Sequence, residues 1–350
     1  VQTQSITPTL GLLSQLTEAA PVITAPTGLD TSVVNPRGGL ADIVIGVISL
    51  PYYHGIKTEE APFAPLQEYW KAAPGGYLPP FDELGLDPTS TNLTFANPSP
   101  VLTGIQTVPL LITVPNERSG FIEKPETGWP VAVYIPALTR NRTDMLAMAD
   151  AMAAVGFAMI AIDQPMHGVV PEVEPQLAPF YIENTPFAAI ANERTFDADY
   201  FNNETGVFGP DGITDASGAS YFNLANLRAV RDYLRQAQAD FLVLSASIGN
   251  IDVDNDGTPD LTPCNQAGVA NSAGSFAGIA FKTLAPCITR AYINVAGAQA
   301  LRSAEAGVFG ERIRRGLAAV GVLPGTPDYE LFLTAGTTVM DSGDSANWAK

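Results

Sequence analysis

The chain has 350 residues, 46% hydrophobic and 15% charged, enough apolar material for a large core in one or two domains. A formal net charge of -18 repels nucleic acid and anionic bilayers, so neither is expected as a partner. No apolar run reaches the roughly 20 residues of a membrane span, and two histidines with two cysteines argue against a zinc site.

Residue 1 is Val and no leader pattern precedes it, so the chain is expected to be a mature exported form or a fragment. Residues 1–40 are rich in Thr, Pro and Leu and are expected to be extended. Ala41–Tyr53 is a strong strand pattern, stopped at Pro51 and the turn residues after it. His54 follows and is expected to be a packed or exposed loop residue without a catalytic role. Residues 54–100 are expected to form loops with short helices. From about 105 a strand (108–114) leads through a polar loop to a second strand (131–135). A helix with apolar residues at helical spacing follows over 142–155 and ends at Gly156. Residues 157–162 (FAMIAI) are wholly apolar, as in a parallel strand covered on both faces. The long stretch 169–222 reads as a cap insertion, and 224–244 as an amphipathic helix. Strands are expected over 290–296 and 331–340, with helix between them at about 300–322. Strand alternating with helix predicts an α/β fold with a mostly parallel sheet.

Three constellations carry chemistry. The first is Ala270-Asn271-Ser272-Ala273-Gly274 between a predicted strand and a helix. Small residues two before and two after the serine give the layout of a nucleophile elbow, although a Gly/Ala-rich helix start has the same composition. The helix N-terminus then offers Ala273 N–H to an oxyanion. Leu138 N–H, in the turn after the 131–135 strand, is the second donor candidate, because Pro136 has none. Arg140 and Arg142 nearby are expected to fix the loop or pair with acids. A serine nucleophile needs a base and an acid to orient it. Asp344 is the preferred acid and Asp341 the next, since both would follow the 331–340 strand. No histidine comes after residue 167, and His167 itself is expected to bond backbone in a strand-exit turn.

The second constellation is Asp252-Val-Asp254-Asn-Asp256-Gly-Thr-Pro-Asp260. Oxygen ligands at positions 1, 3, 5 and 9 with an intervening glycine predict a Ca²⁺ loop, although Pro263 stands where a bidentate Glu would close it. The third is Cys264 and Cys287. Each precedes a predicted strand and the two strands would be parallel neighbours, so a disulfide is expected. No organic cofactor is expected.

Several stretches resemble the extracellular bacterial lipases known as virulence-factor lipases. They are ISLPYY (48–53), TNLTFANPSPV (91–101), VPLLITVPN (108–116), GWPVAVYIPALTRNRTD (128–144), GFAMIAIDQPMHG (156–168), GPDGITDASG (209–218), FNLANLRAVRDYLRQAQAD (222–240), IDVDNDGTPDL (251–261) and VMDSGDSANWA (339–349). The resemblance implies an α/β-hydrolase over 105–350, capped by 169–222, behind an N-terminal lipase-associated domain over 1–104. The last strand and histidine loop of that fold find no counterpart before residue 350. It also implies secretion and cleavage of fatty-acyl esters, with Ser272 as nucleophile, Asp341 or Asp344 as acid, and Leu138 and Ala273 as oxyanion donors. Departures fall at the chemistry: Pro136-Ala137 stands for His-Gly, and Ala-Asn-Ser-Ala-Gly-Ser for Gly-His-Ser-Leu-Gly-Gly. They give an alternative expectation, a lipase-derived surface or self-assembling protein without catalysis.

Overall fold

The structure is a computed structural model and describes residues 5–121, 123–307 and 309–349. Seven strands form one sheet in the order β1-β2-β3-β5-β4-β6-β7. They are β1 (Val22–Asp30), β2 (Ala41–Tyr52), β3 (Gly104–Pro115), β4 (Val131–Ile135), β5 (Ala158–Ile162), β6 (Gln266–Asn271) and β7 (Ile288–Asn294). The pairs β1–β2, β2–β3 and β3–β5 are antiparallel, and β5–β4, β4–β6 and β6–β7 are parallel. Thus β2, β4, β5, β6 and β7 all point the same way, and the expected α/β architecture with a mostly parallel sheet is present. Residue 104 lies inside this sheet, where β2 and β3 pair along their whole length.

Helices cover both faces, which is why β4 and β5 are buried at every position. Val131, Val133 and Ile135 alternate onto one face, where they meet Phe241 and Leu244 of α4 (Leu227–Ser247) and Phe281 of α5 (Gly274–Leu284). Ala132 and Tyr134 alternate onto the other, against Leu146 and Ala149 of α3 (Leu146–Ala153). Each fully buried large side chain contributes roughly 1.5–3 kcal/mol, so the two faces anchor the central strands firmly. β7 is an edge: Thr289–Tyr292 are exposed.

The N-terminal 40 residues are more regular than expected. They hold α1 (Pro8–Leu16) and β1, joined through Leu10 and Trp348 to α5. A one-turn helix, α2 (Ala64–Gln67), lies in the loop region. The stretch 300–322 holds α6 (Ala300–Ala306) and α7 (Gly310–Ala319). The expected strand at 331–340 is instead helix α8 (Pro327–Met340). Its Thr337-Thr338-Val339 run has strand composition, but two helical signals win. Thr326 caps the N-terminus by accepting from Tyr329 N–H at 3.3 Å, and Pro327 occupies the first turn. Tyr329, Leu333, Gly336 and Met340 then form one buried stripe at helical spacing. Asp341 and Asp344 therefore follow a helix rather than a strand, and the sheet does not carry them to the site.

The disulfide expected between Cys264 and Cys287 is formed, with Cα atoms 4.5 Å apart. The parallel β6–β7 register explains it: Gln266 lies opposite Ile288, so the two cysteines sit together just ahead of the pair.

Candidate active site

Four parallel strands, β4 to β7, end on one edge, and the turns that leave them converge there. Ser272 sits in the turn between β6 and α5, exposed, with φ +49°. A non-glycine residue in this left-handed region carries about 1 kcal/mol or more of strain, so the surroundings hold it in place. Ser272 N–H donates to Asn294 O of β7 at 3.0 Å, and Ser272 O accepts from Ser275 N–H at 2.9 Å. Gly274 explains the small flank: a Cβ there would lie 2.5 Å from both the Ile135 and Pro136 carbonyl oxygens. The first turn of α5 is therefore pressed against the exit of β4. This is the strand–turn–helix context that the sequence pattern required.

The two candidate oxyanion donors are in reach of different strand exits. Ala273 begins the first turn of α5, and Leu138 lies in the turn after β4. Among the described residues neither Ala273 N–H nor Leu138 N–H has an acceptor. The Leu138 side chain packs against an apolar cluster drawn from residues 198–222 and from α4–α8, with Tyr221, Phe276 and Leu301 in its core. Arg140 and Arg142 do what their sequence position suggested. Arg140 makes a two-pronged pair with Asp144 at 2.5 and 2.7 Å. Arg142 is buried, pairs with Asp163, and holds both Glu193 oxygens at 2.8 Å. Burial pushes its guanidinium pKa down, but Glu193 and Asp163 more than offset this and hold it raised.

The acid candidates are placed differently. Asp344 is buried, and its carboxylate accepts from Gln299, Ala300 and Ala346 N–H at 2.9, 2.5 and 2.9 Å, which caps α6 and the turn 345–347. Its neighbour links to the elbow through two hydroxyls: Ser345 Oγ donates to Gly297 O at 2.6 Å, and Gly297 N–H donates to Ser275 Oγ at 2.9 Å. Asp341 ends α8 half-buried, and burial raises its carboxyl pKa. Among the described residues no group makes a hydrogen bond with Ser272 Oγ, so the structure brings neither Asp into contact with it.

Both imidazoles are buried and bonded to backbone, and neither hydrogen-bonds Ser272. His54 stacks on Tyr233 with ring centroids 4.0 Å apart, and Nδ1 accepts from Gly55 N–H at 2.9 Å. His167 pairs Nδ1 with Pro165 O at 2.9 Å, and its Nε2 is buried without a partner. Burial pushes both pKa values down to about 4. Three residues that sequence reasoning passed over belong to this edge. Gln164 leaves β5 and bonds Pro136 O, Ser217 O accepts from Thr139 N–H, and Tyr221 reaches Gln164. Their only signal was position, in the turn after an apolar strand and in the insertion that covers it.

The acidic loop is a separate feature. One oxygen from each of Asp252, Asp254 and Asp260 lies within 4.8 Å of the others, and Asp256 is exposed outside this group. Burial raises the Asp252 carboxyl pKa, but N–H bonds from Gly257, Asn255 and Asp256 outweigh it and hold the group lowered. Asp260 is buried, accepts from Val253 N–H at 2.6 Å and pairs with Lys124. The spacing of the three oxygens suits a hard cation with ligands about 2.3–2.6 Å away, and the Lys124 ammonium neutralises part of the same charge.

No family model matches the chain, and no curated protein matches it in sequence. Solved structures do match. An acetyl xylan esterase from Paenibacillus sp. R4 aligns over 99% of this chain and 77% of its own, at 13% identity and a TM-score of 0.46. Acetyl xylan esterase 1 from Thermoanaerobacterium sp. JW/SL YS485 aligns over 100% and 77%, at 9% identity and a TM-score of 0.45. The juvenile hormone esterase from Manduca sexta aligns over 67% and 34%, at 12% identity and a TM-score of 0.22.

Proposed function

We propose that the chain is a serine carboxylester hydrolase built on an α/β-hydrolase sheet, exported, and acting on acyl esters such as those of lipids. The observation that carries this is Ser272: exposed, at φ +49°, on a strand-to-helix turn that tolerates only glycine two residues later. Ser272 Oγ attacks the acyl carbonyl and the N–H groups of Ala273 and Leu138 receive the oxyanion. A serine nucleophile hands its proton to a general base, and neither His54 nor His167 hydrogen-bonds Ser272: their bonded ring nitrogens face backbone groups of Ala229, Gly55 and Pro165. An aspartate would orient that base; Asp344 already accepts from three backbone N–H groups, so Asp341 has the freer carboxylate of the two. The apolar cluster drawn from residues 198–222 and from α4–α8 supports an acyl-binding role. The disulfide supports an oxidising compartment.

The experiment is covalent labelling of folded full-length protein with a fluorophosphonate probe. Labelling should occur at Ser272 and vanish in Ser272→Ala; folded protein that does not label sinks the proposal. A second reading, a scaffold without catalysis that associates with itself, is favoured by the burial of both imidazoles. It expects no labelling and a concentration-dependent oligomer.

The loop 251–261 is proposed to bind Ca²⁺ through Asp252, Asp254 and Asp260, in a structural role distant from the chemistry. Thr24 Oγ donates to Asp252 O at 2.5 Å, so the ion would lock the loop to β1. Ca²⁺ at 100 times its dissociation constant should stabilise the fold by about 2.7 kcal/mol. A Tm that is the same in Ca²⁺ and in chelator, or equally shifted in Asp254→Ala, counts against the site.

A further inference from the structure

The turn after β4 is held at two points that bracket its candidate donor, Leu138. Gln164, buried at the exit of β5, donates from Nε2 to Pro136 O at 2.6 Å. Thr139 N–H donates to Ser217 O at 3.0 Å. Ala137 and Leu138 lie between these two anchors. Both anchors lead into the cap. Gln164 Oε1 accepts from the Tyr221 hydroxyl at 3.4 Å, and Ser217 is in the same short segment as Tyr221. Gly218 between them has φ +62°, and a Cβ there would lie 2.1 Å from the His167 ring, so the segment lies directly against that ring. The His167 ring also meets Tyr221 edge-on, with centroids 5.9 Å apart.

Peptide planarity turns these contacts into a direction. In a trans peptide the carbonyl and the following N–H point opposite ways. With Pro136 O held toward Gln164 and close to α5 at Gly274, the Ala137 N–H in the same plane points away from the elbow, which leaves the Leu138 N–H as the donor of this turn. With Thr139 N–H held toward Ser217, the peptide plane on the other side of Leu138 is fixed too. The plane that carries Leu138 N–H lies between two pinned neighbours.

We propose that Gln164 is the positioning residue of this turn: through Pro136 O it fixes the turn that presents the Leu138 N–H, and docking of the segment Ser217–Tyr221 completes the aim. The cap would thus control oxyanion stabilisation and not only cover the site. This rests on Ser272 being the nucleophile, but the clamp itself is readable without catalysis.

The experiment takes full-length protein and compares wild type, Gln164→Met and Tyr221→Phe by two readouts. The first is amide hydrogen exchange of the peptide covering 136–140. It should quicken at least tenfold in Gln164→Met and less in Tyr221→Phe, while peptides from α5 and β6 keep wild-type rates. The second is ester turnover. Removing one oxyanion donor costs about 10²–10³ in kcat, so misaiming one should lower kcat about 10–100-fold with KM within about twofold. Unchanged exchange at 136–140 in folded Gln164→Met overturns the proposal. So does exchange that rises equally across α5 and β6, since that reports a general loss of packing. If Gln164→Met does not fold, unchanged exchange in Tyr221→Phe overturns it instead. A wild-type protein that neither labels nor turns over ester defeats the nucleophile reading alone, and the exchange result still decides the clamp.

Discussion

Ser272 holds a backbone conformation that its own side chain makes costly. Left-handed geometry costs an L-residue roughly 1–2 kcal/mol, and glycine avoids most of that. The strain is held by hydrogen bonds on both sides of the residue and by the contact of Gly274 with two carbonyls. A serine retained here carries a cost that packing alone would not select. Ser272→Gly should therefore raise the unfolding free energy by about 1 kcal/mol while abolishing probe labelling, measured by urea denaturation and by labelling of the same sample. A variant no more stable than wild type would mean the strain is not where φ places it. The elbow was legible in the sequence because steric demands act on residue identity directly: Ala270 and Gly274 had to be small. The histidines were partly legible: His54 as a packed or exposed loop residue, and His167 as a strand-exit residue bonding backbone. The clamp through Gln164, Ser217 and Tyr221 was not. Its two Gln164 bonds alone join residues 28 and 57 positions apart, in contacts that no local pattern encodes.

At the scale of elements, periodicity predicted the sheet and the long helices well, because burial on one or two faces imposes a repeat on the chain. β4, β5 and α4 are the clear cases. Periodicity failed at α8. Its β-branched residues suggested a strand, while the cap at Thr326 and the buried stripe from Tyr329 to Met340 were weaker as text than as contacts. There, tertiary packing overrides intrinsic preference. That one exchange of strand for helix moved Asp341 and Asp344 away from a sheet exit. The β6–β7 pair shows the opposite, with register and disulfide both readable. β7 is an edge strand whose far side is exposed, so its attachment depends on β6, α5 and the Cys264–Cys287 link. The link closes a span with sequence separation 23, and such a loop is worth about 3 kcal/mol by chain-entropy reasoning. Cys264→Ser with Cys287→Ser should lose about that much in denaturant unfolding, with hydrogen exchange rising first in β7. A loss confined to global unfolding, with β7 still protected, would show that the strand is held by packing rather than by the crosslink.

The whole molecule combines a strongly acidic surface with an interior that keeps two imidazoles uncharged. His54 and His167 are both buried, and burial holds both near pKa 4, against about 6.5 for a free imidazole. Between those two values the unfolded chain binds protons that the folded chain refuses. Stability contributed by each neutral imidazole is therefore fully present above about pH 6.5 and is lost as pH falls toward 4. Acidification has an opposite effect at the surface. Protonating carboxylates there relieves the repulsion behind the net charge of -18, and in the interior Asp215, raised by burial to about 6, takes up its proton early in the folded state. The two effects separate in a comparison of pH slopes. A gap of about two pKa units at pH 4.5 corresponds to about 2–3 kcal/mol per imidazole. His54→Gln should start less stable than wild type at pH 7, since it loses the stack on Tyr233, and then lose less on acidification. Unfolding free energies at about pH 7 and about pH 4.5 for both proteins decide it. Parallel slopes would mean that His54 is already protonated in the fold, and that the interior tolerates the charge its burial should exclude.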